Sequence, residues 1–270
     1  MKGGYNLDEI ALLKEKFGVI SKKGWIEAAC GGTGAIGLTF ENELNKSFDS
    51  TYFPDFYGIE IKCTSRFSRF PYSLFSVAFD GPTFPEINRI VELYGYKDYE
   101  YHDKKVLKVD LSVKELNKCG KYFFNFVFEG DKLFMGVFNV YGELIEKKSF
   151  VYVDTLLNHL STKLSKLVII HASKKKINDK YIFRYYKLES FKLRDKELFI
   201  DLLKKGIIFA TLESRVGKSG NNAGKYKNKN LVFKIKKEDL NELFDKETEI
   251  NKDYNIDRVS KKTIPFYIMT

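Results

Sequence analysis

The run Pro54-Asp55-Phe56-Tyr57-Gly58-Ile59-Glu60-Ile61-Lys62, with Thr64 and Arg66 just beyond, puts three charged side chains where a core strand would be apolar. From Ile59 to Cys63 apolar and charged residues alternate, so a strand here shows Glu60 and Lys62 on one face and Ile59, Ile61 and Cys63 on the other. Asp55 lies five positions before Glu60, an odd separation that sends it to the opposite face of a continuous strand. A bend must intervene if the two carboxylates are to meet, and Gly58 is the residue that permits one.

Two carboxylates and one ammonium at the end of a bent strand suit phosphodiester cleavage. Magnesium takes hard oxygen ligands, keeps several waters, and is held by one or two carboxylates together with a substrate phosphate. Asp55 and Glu60 could supply those oxygens, and the carbonyl of Ile61 a third. A cation there would acidify a coordinated water and neutralise charge on the phosphate, while Lys62 would orient the water and stabilise the same charge. The plain alternative for these residues is a strand whose Glu60 and Lys62 face solvent.

Pro54-Asp55 followed by Glu60-x-Lys62 resembles the PD-(D/E)xK nuclease signature. Upstream, the run from Gly31 to Leu44, Gly-Gly-Thr-Gly-Ala-Ile-Gly-Leu-Thr-Phe-Glu-Asn-Glu-Leu, is similar to the glycine-rich turn and helix that precede the catalytic Asp in the MvaI/BcnI group of type II restriction endonucleases. The mismatch-repair nickase MutH and its restriction relatives have a similar arrangement with a further Glu on that helix, and Glu41 stands at the matching position. The gap of four residues between Asp55 and Glu60 favours the MvaI/BcnI group. The resemblance implies an α/β (α+β) restriction-endonuclease-like fold with a mixed central sheet flanked by helices, and Mg2+-dependent cleavage with Mn2+ as a substitute. It implies a catalytic group of Asp55, Glu60 and Lys62 assisted by Glu41, with Asp55, Glu60 and Ile61 holding the metal. It further implies a bacterial cytoplasmic monomer that nicks one strand of double-stranded DNA at a time at a short, nearly palindromic site, with a companion methyltransferase encoded nearby. A MutH-like, GATC-directed endonuclease shares this chemistry and differs in target; a DNA-binding module with an inactive core would bind without cutting.

Gly32-x-Gly34-x-x-Gly37 also fits the dinucleotide-binding pattern. Two features oppose it. A parallel central strand buried on both faces reads as a continuous apolar run, whereas Val19 to Cys30 contains Ser21, Lys22, Lys23, Gly24 and Glu27. The supposed second strand carries Glu60 and Lys62 in its interior. The glycines are equally served by a tight turn and close helix packing.

The 270 residues suffice for one large domain or two small ones, and 44% hydrophobic content supplies a core. No apolar run approaches bilayer length, and the N-terminal residues show no signal-peptide core. Cys30, Cys63 and Cys119 form no metal-ligand spacing and leave one thiol over in any disulfide scheme, which points to a reducing, intracellular setting. His102, His159 and His171 are spaced with no other ligand, which argues against zinc. Net charge is +10 and the pI is near 9.2, a statement about partners rather than fold. Ser161 to Lys192 holds nine Lys or Arg against Asp179 and Glu189, and Arg215 to Lys237 holds eight bases and no acid. These two segments are the expected electrostatic footprint on a polyanion, with Lys174 and Lys175 in the first. Arg66 and Arg69, just after the charged strand, could grip a backbone by charge-assisted bonds.

Helical spacing predicts an opening amphipathic helix over 7–17 with Asn6 as its cap, and further helices over 36–44, 85–94, 154–164, 198–205 and 238–244. Strands are predicted over 72–79, 106–111, 122–129, 132–141, 167–172, 181–188, 207–212 and 231–236, with Gly130-Asp131 as a hairpin turn. Between the last two strands, Glu213 to Asn230 is dominated by Gly, Asn and Lys and is expected to order only on a partner. Its Arg215, Lys218, Lys225, Lys227, Asn228 and Lys229 own the chemistry that reads guanine and adenine edges. The loop resembles the C-terminal recognition region of the MvaI/BcnI group, so a catalytic lobe over 1–155 and a recognition lobe over 156–270 are expected.

Overall fold

The structure, a computed structural model, describes residues 8–32, 34–44, 55–82, 86–227 and 230–253. In chain order its elements are α1 (Glu9–Lys22), β1 (Ile26–Glu27), α2 (Ala35–Glu43), β2 (Ile59–Ser65), β3 (Tyr72–Val77), α3 (Glu86–Tyr94), β4 (Tyr96–Lys97) and β5 (Lys105–Leu111). Then come β6 (Asn117–Cys119), β7 (Tyr122–Glu129), β8 (Lys132–Phe138), β9 (Leu144–Tyr152), α4 (Val153–Leu164), β10 (Lys166–Ile177) and β11 (Lys180–Leu193). The chain closes with α5 (Leu198–Lys204), β12 (Ile208–Val216), a 3-10 turn at Gly220–Asn222, β13 (Tyr226–Lys227), β14 (Leu231–Ile235), α6 (Leu240–Leu243) and β15 (Phe244–Asn251).

Three sheets result. The first runs β1-β11-β10-β2, with β15 also on β11; the second runs β3-β14-β12-β5-β4, with β13 on β12; the third is β6-β7-β8-β9. Among the described strands only the β2–β10 pair is parallel, so the first sheet is mixed, and everything from β3 to α4 serves as the crossover that a parallel pair demands. Glu60 sits opposite Leu167 and Lys62 opposite Ile169. Leu167 and Ile169 belong to the larger core, which takes in α4 and the second and third sheets. Val168, Ile170, Ile59 and Ile61 belong to a smaller core under α1 and α2. Where β2 pairs with β10 the first sheet is therefore buried on both faces, and β2 is a terminal strand of that sheet among the described residues.

The sheets draw on the chain in interleaved order. The first takes strands from 26–65 and 166–251, the second from 72–111 and 208–235, and the expected lobe boundary between 155 and 156 falls inside α4. Asp8 caps α1, accepting the Ala11 N–H at 3.1 Å, in place of the expected Asn6, which lies outside the described residues. The lysine-rich connection 174–180 is strand rather than loop: β10 and β11 pair up to Ile177 and Lys180 and turn through Asn178 and Asp179, both at positive φ, as a two-residue hairpin requires. The described part of the predicted loop, 213–227, is likewise not without order of its own. β12 continues to Val216, the Gly217 N–H donates to the Lys225 carbonyl at 2.8 Å, and β13 pairs with Arg215 and Val216. The predicted closing helix shrinks to one turn and gives way to β15, whose polar sequence carries almost no strand pattern. No helix among the described residues is long and apolar enough to cross a membrane.

Candidate active site and nucleic-acid interface

The bend needed to bring Asp55 to Glu60 is a two-residue turn. Phe56 and Ile59 exchange both backbone hydrogen bonds, at 2.9 and 2.8 Å, around Tyr57 and Gly58, whose φ angles are 43° and 85°. Positive φ at both central residues defines the tight hairpin turn, which Gly58 enters without strain. Asp55 is thereby folded back along the open edge of β2, where its carboxylate accepts the Ile61 N–H at 2.9 Å.

Glu60 is 3% exposed. The Lys62 ammonium donates to its Oε1 at 2.5 Å, and Lys163 of α4 approaches Oε2 at 3.7 Å, too far for a hydrogen bond. Oε2 is buried and has no hydrogen-bond partner. Burial raises the pKa of Glu60, the Lys62 charge opposes that shift, and the nearby Asp55 charge adds to it. Glu41, on α2, lies on the other side of β2, where its charge and that of Asp55 both reinforce the effect of burial in raising the Cys63 thiol pKa. Asp55 and Lys62 thus both act electrostatically on Glu60 and on Cys63, in opposite directions. Among the described residues no three His, Cys, Asp or Glu side chains converge as a metal-ligand set.

Two cations next to this strand have no sequence signature. Lys163 reaches Glu60 from a helix about a hundred residues away in the chain. Lys237, just past β14, donates to Thr64 Oγ1 and to the Ser68 carbonyl, both at 2.7 Å, and so ties the end of β2 to the second sheet; burial lowers its pKa.

The expected DNA-contacting residues divide into two kinds. Arg66 stacks over the Tyr186 ring at 4.6 Å and is ion-paired with Asp253, and Lys218 is ion-paired with Asp98. Hydrogen bonds from Lys218 and from the Tyr101 backbone hold Asp98 at about 2, below the usual carboxylate range. Arg215 is exposed, with its Nε 3.3 Å from Glu213. Arg69, Lys174, Lys175, Lys225 and Lys227 are exposed, with Lys174 over the Tyr181 ring at 3.7 Å and Lys175 over Trp25 at 4.4 Å. Asn228 and Lys229 lie outside the described residues. His171 stands on the interior strand β10, with Nε2 2.5 Å from Glu189.

A mixed sheet whose terminal parallel strand carries Glu-x-Lys, with an Asp folded back beside it, is the arrangement expected of the restriction-endonuclease class. A model of the MvaI/BcnI restriction endonuclease family matches residues 14–244, and the chain belongs to that family. It is therefore a site-specific deoxyribonuclease. Among solved structures, a complex of restriction endonuclease MvaI with its cognate DNA substrate superposes with a TM-score of 0.83 at 25% identity, over 89% of this chain and 98% of that one. MvaI in the absence of DNA gives 0.55 at 22% identity, over 89% and 97%. No curated protein matches the sequence.

Proposed function

We propose that this chain is a Mg2+-dependent type II restriction endonuclease that acts as a cytoplasmic monomer on a short, nearly palindromic site in duplex DNA, with Mn2+ as a substitute and a companion methyltransferase protecting the host. The catalytic lobe is built on the first sheet and the recognition lobe on the second. One observation carries the reading: the turn at Tyr57-Gly58 returns Asp55 to the edge of β2, where its carboxylate meets the Ile61 N–H at 2.9 Å, beside a Glu60 that is itself 2.5 Å from Lys62.

The residues fit the ion. The gathered acceptors are hard oxygens, and the buried, unbonded Glu60 Oε2 is the kind of atom a cation satisfies. Asp55 and Glu60 would hold it. The N–H and C=O of one strand residue project to the same side, so the Ile61 carbonyl faces the edge at which its N–H reaches Asp55, and it would be the third ligand. The bound ion supplies Lewis acidity toward the scissile phosphate and acidifies a water. Lys62, fixed by Glu60, orients the attacking water and offsets the charge that grows on the phosphate oxygens. Glu41 assists from α2. Arg69, Lys174 and Lys175 grip the backbone near the cut, and Arg215, Lys225, Lys227 and the following Asn228 and Lys229 read bases.

Digestion of unmethylated phage or plasmid DNA with Mg2+ tests this directly. Wild type gives discrete fragments, Asp55→Ala gives none, and Lys62→Ala is slower by about 10²- to 10³-fold. Fragments ending at GATC would move the target to that of MutH-like enzymes. DNA that is bound yet left intact with both Mg2+ and Mn2+ overturns the catalytic reading and leaves a binding module.

A further inference from the structure

The turn that carries the chain from β2 to β3 presents two phenylalanines to water. Phe67 is 88% and Phe70 81% exposed, and among the described residues every other phenylalanine is buried or half-buried. Burying a phenyl ring is worth about 1.5–3 kcal/mol, so two of them left open on one short turn are an unused source of contact energy.

Phe67 stands between two grooves. One, of ≈ 460 Å³, is walled by Trp25, Tyr181, Lys174 and Lys175; the other, of ≈ 430 Å³, by Gly32, Thr64, Phe70 and again Lys174. Among the described residues no carboxylate lines either groove. The lysines lie against aromatic faces, Lys174 on Tyr181 and Lys175 on Trp25. Rings that can meet base faces, interleaved with cations that can meet phosphates, are complementary to a nucleic acid and to neither an apolar ligand nor a basic one. The surface also continues the active site. Phe67 lies in the turn two residues past the end of β2 and five past Lys62, a length of chain that spans at most about 18 Å, or about five base pairs along a duplex.

We propose that Phe67 and Phe70 form an apolar wedge that inserts at a base step of the bound duplex within about five base pairs of the scissile phosphate, while Lys174 and Lys175 hold the phosphates flanking the opened step. A phenyl ring reads no donor or acceptor, so the wedge senses how readily a step unstacks and adds a deformation preference to whatever edges the recognition loop reads. The proposal rests on the nuclease reading and goes beyond it.

The test uses the duplex site mapped from the enzyme's own fragments, with 2-aminopurine placed at successive positions and Ca2+ replacing Mg2+ so that the DNA stays intact. Wild type is expected to raise fluorescence several-fold at one step on one side of the cut. Phe67→Ala/Phe70→Ala should remove that rise and slow cleavage without changing the melting temperature, and Phe67→Trp should restore part of it. Lys174→Ala/Lys175→Ala should instead lower the salt slope of binding by about two. A wild type that binds and cuts with no position brightening, or a rise that survives in the double phenylalanine variant, overturns the wedge alone. Self-association of wild type that the same variant abolishes, with the fluorescence rise intact, assigns the patch to a second copy and also overturns it. Failure to bind any duplex removes the nuclease reading together with the wedge.

Discussion

The catalytic strand and the 213–230 segment hold similar charged side chains under opposite constraints. On β2 the charges are packed between two cores, so Glu60 is fixed by Lys62 on its own strand and flanked by Lys163 from α4. In 213–227 they sit on a solvent-facing hairpin, where Lys218 has found Asp98 and Arg215 lies beside Glu213, while Lys225 and Lys227 are exposed. Burial converts a charge pattern into a fixed geometry; exposure leaves the same residues to distribute themselves among whichever acids fold nearby. A cation's sequence position therefore tells more about its role on β2 than in the hairpin.

The largest effect that would break this contrast is on Glu60. Glu60→Gln should abolish cleavage yet, without metal, stabilise the fold, because it replaces a buried carboxylate whose charged form burial disfavours with a neutral group of the same shape. A rise of about 2–4 °C in melting temperature per kcal/mol gained is the scale to look for by calorimetry in EDTA. The sign follows from the raised pKa: that group favours the folded state below the ordinary glutamate range, and the benefit is lost as pH rises through its raised value, so at neutral pH the ionised form opposes folding. A Gln variant that melts lower than wild type in EDTA would show that the lysines already compensate Glu60 in full.

A smaller effect separates the two kinds of loop lysine. Lys218→Ala should lower the melting temperature and leave the salt slope of DNA binding unchanged, since its charge is spent on Asp98. Lys225→Ala and Lys227→Ala should do the reverse, each lowering the slope by about one. Equal slopes for all three would dissolve the distinction.

The smallest concerns the interior of the first sheet. Burial alone would raise the pKa of Glu189, but hydrogen bonds from His171, Lys246 and Lys187 hold it well below the usual carboxylate range. Its contribution to stability is present above the unfolded glutamate pKa and lost as pH falls through the lowered one. Thermal melts from pH 7 to pH 3 should show a shallower acid loss for Glu189→Gln than for wild type.

What was legible in the sequence was local. Alternation from Ile59 to Cys63 and a glycine two residues before Glu60 were enough to predict both the strand and its bend, because each signal spans fewer than ten residues. Lys163 and Lys237 were invisible: one lies on a helix and the other past a strand, and only the long crossover brings them to β2. Order in 213–230 was missed because glycine and asparagine read as loop, while the backbone bonds from Gly217 to Lys225 depend on a turn that composition does not encode. The interleaving of the sheets, which sets β3 and β5 beside β14 and β12, likewise has no local trace.

The placement of Asp55 has a consequence for solubility. A terminal strand offers unpaired N–H groups to any passing chain, and proteins protect such strands with turns, bulges or inward charges. Here the Tyr57-Gly58 turn occupies the backbone of Ile59, and the Asp55 carboxylate occupies the Ile61 N–H. The carboxylate assigned to the metal is also the cap that keeps two such molecules from joining edge to edge.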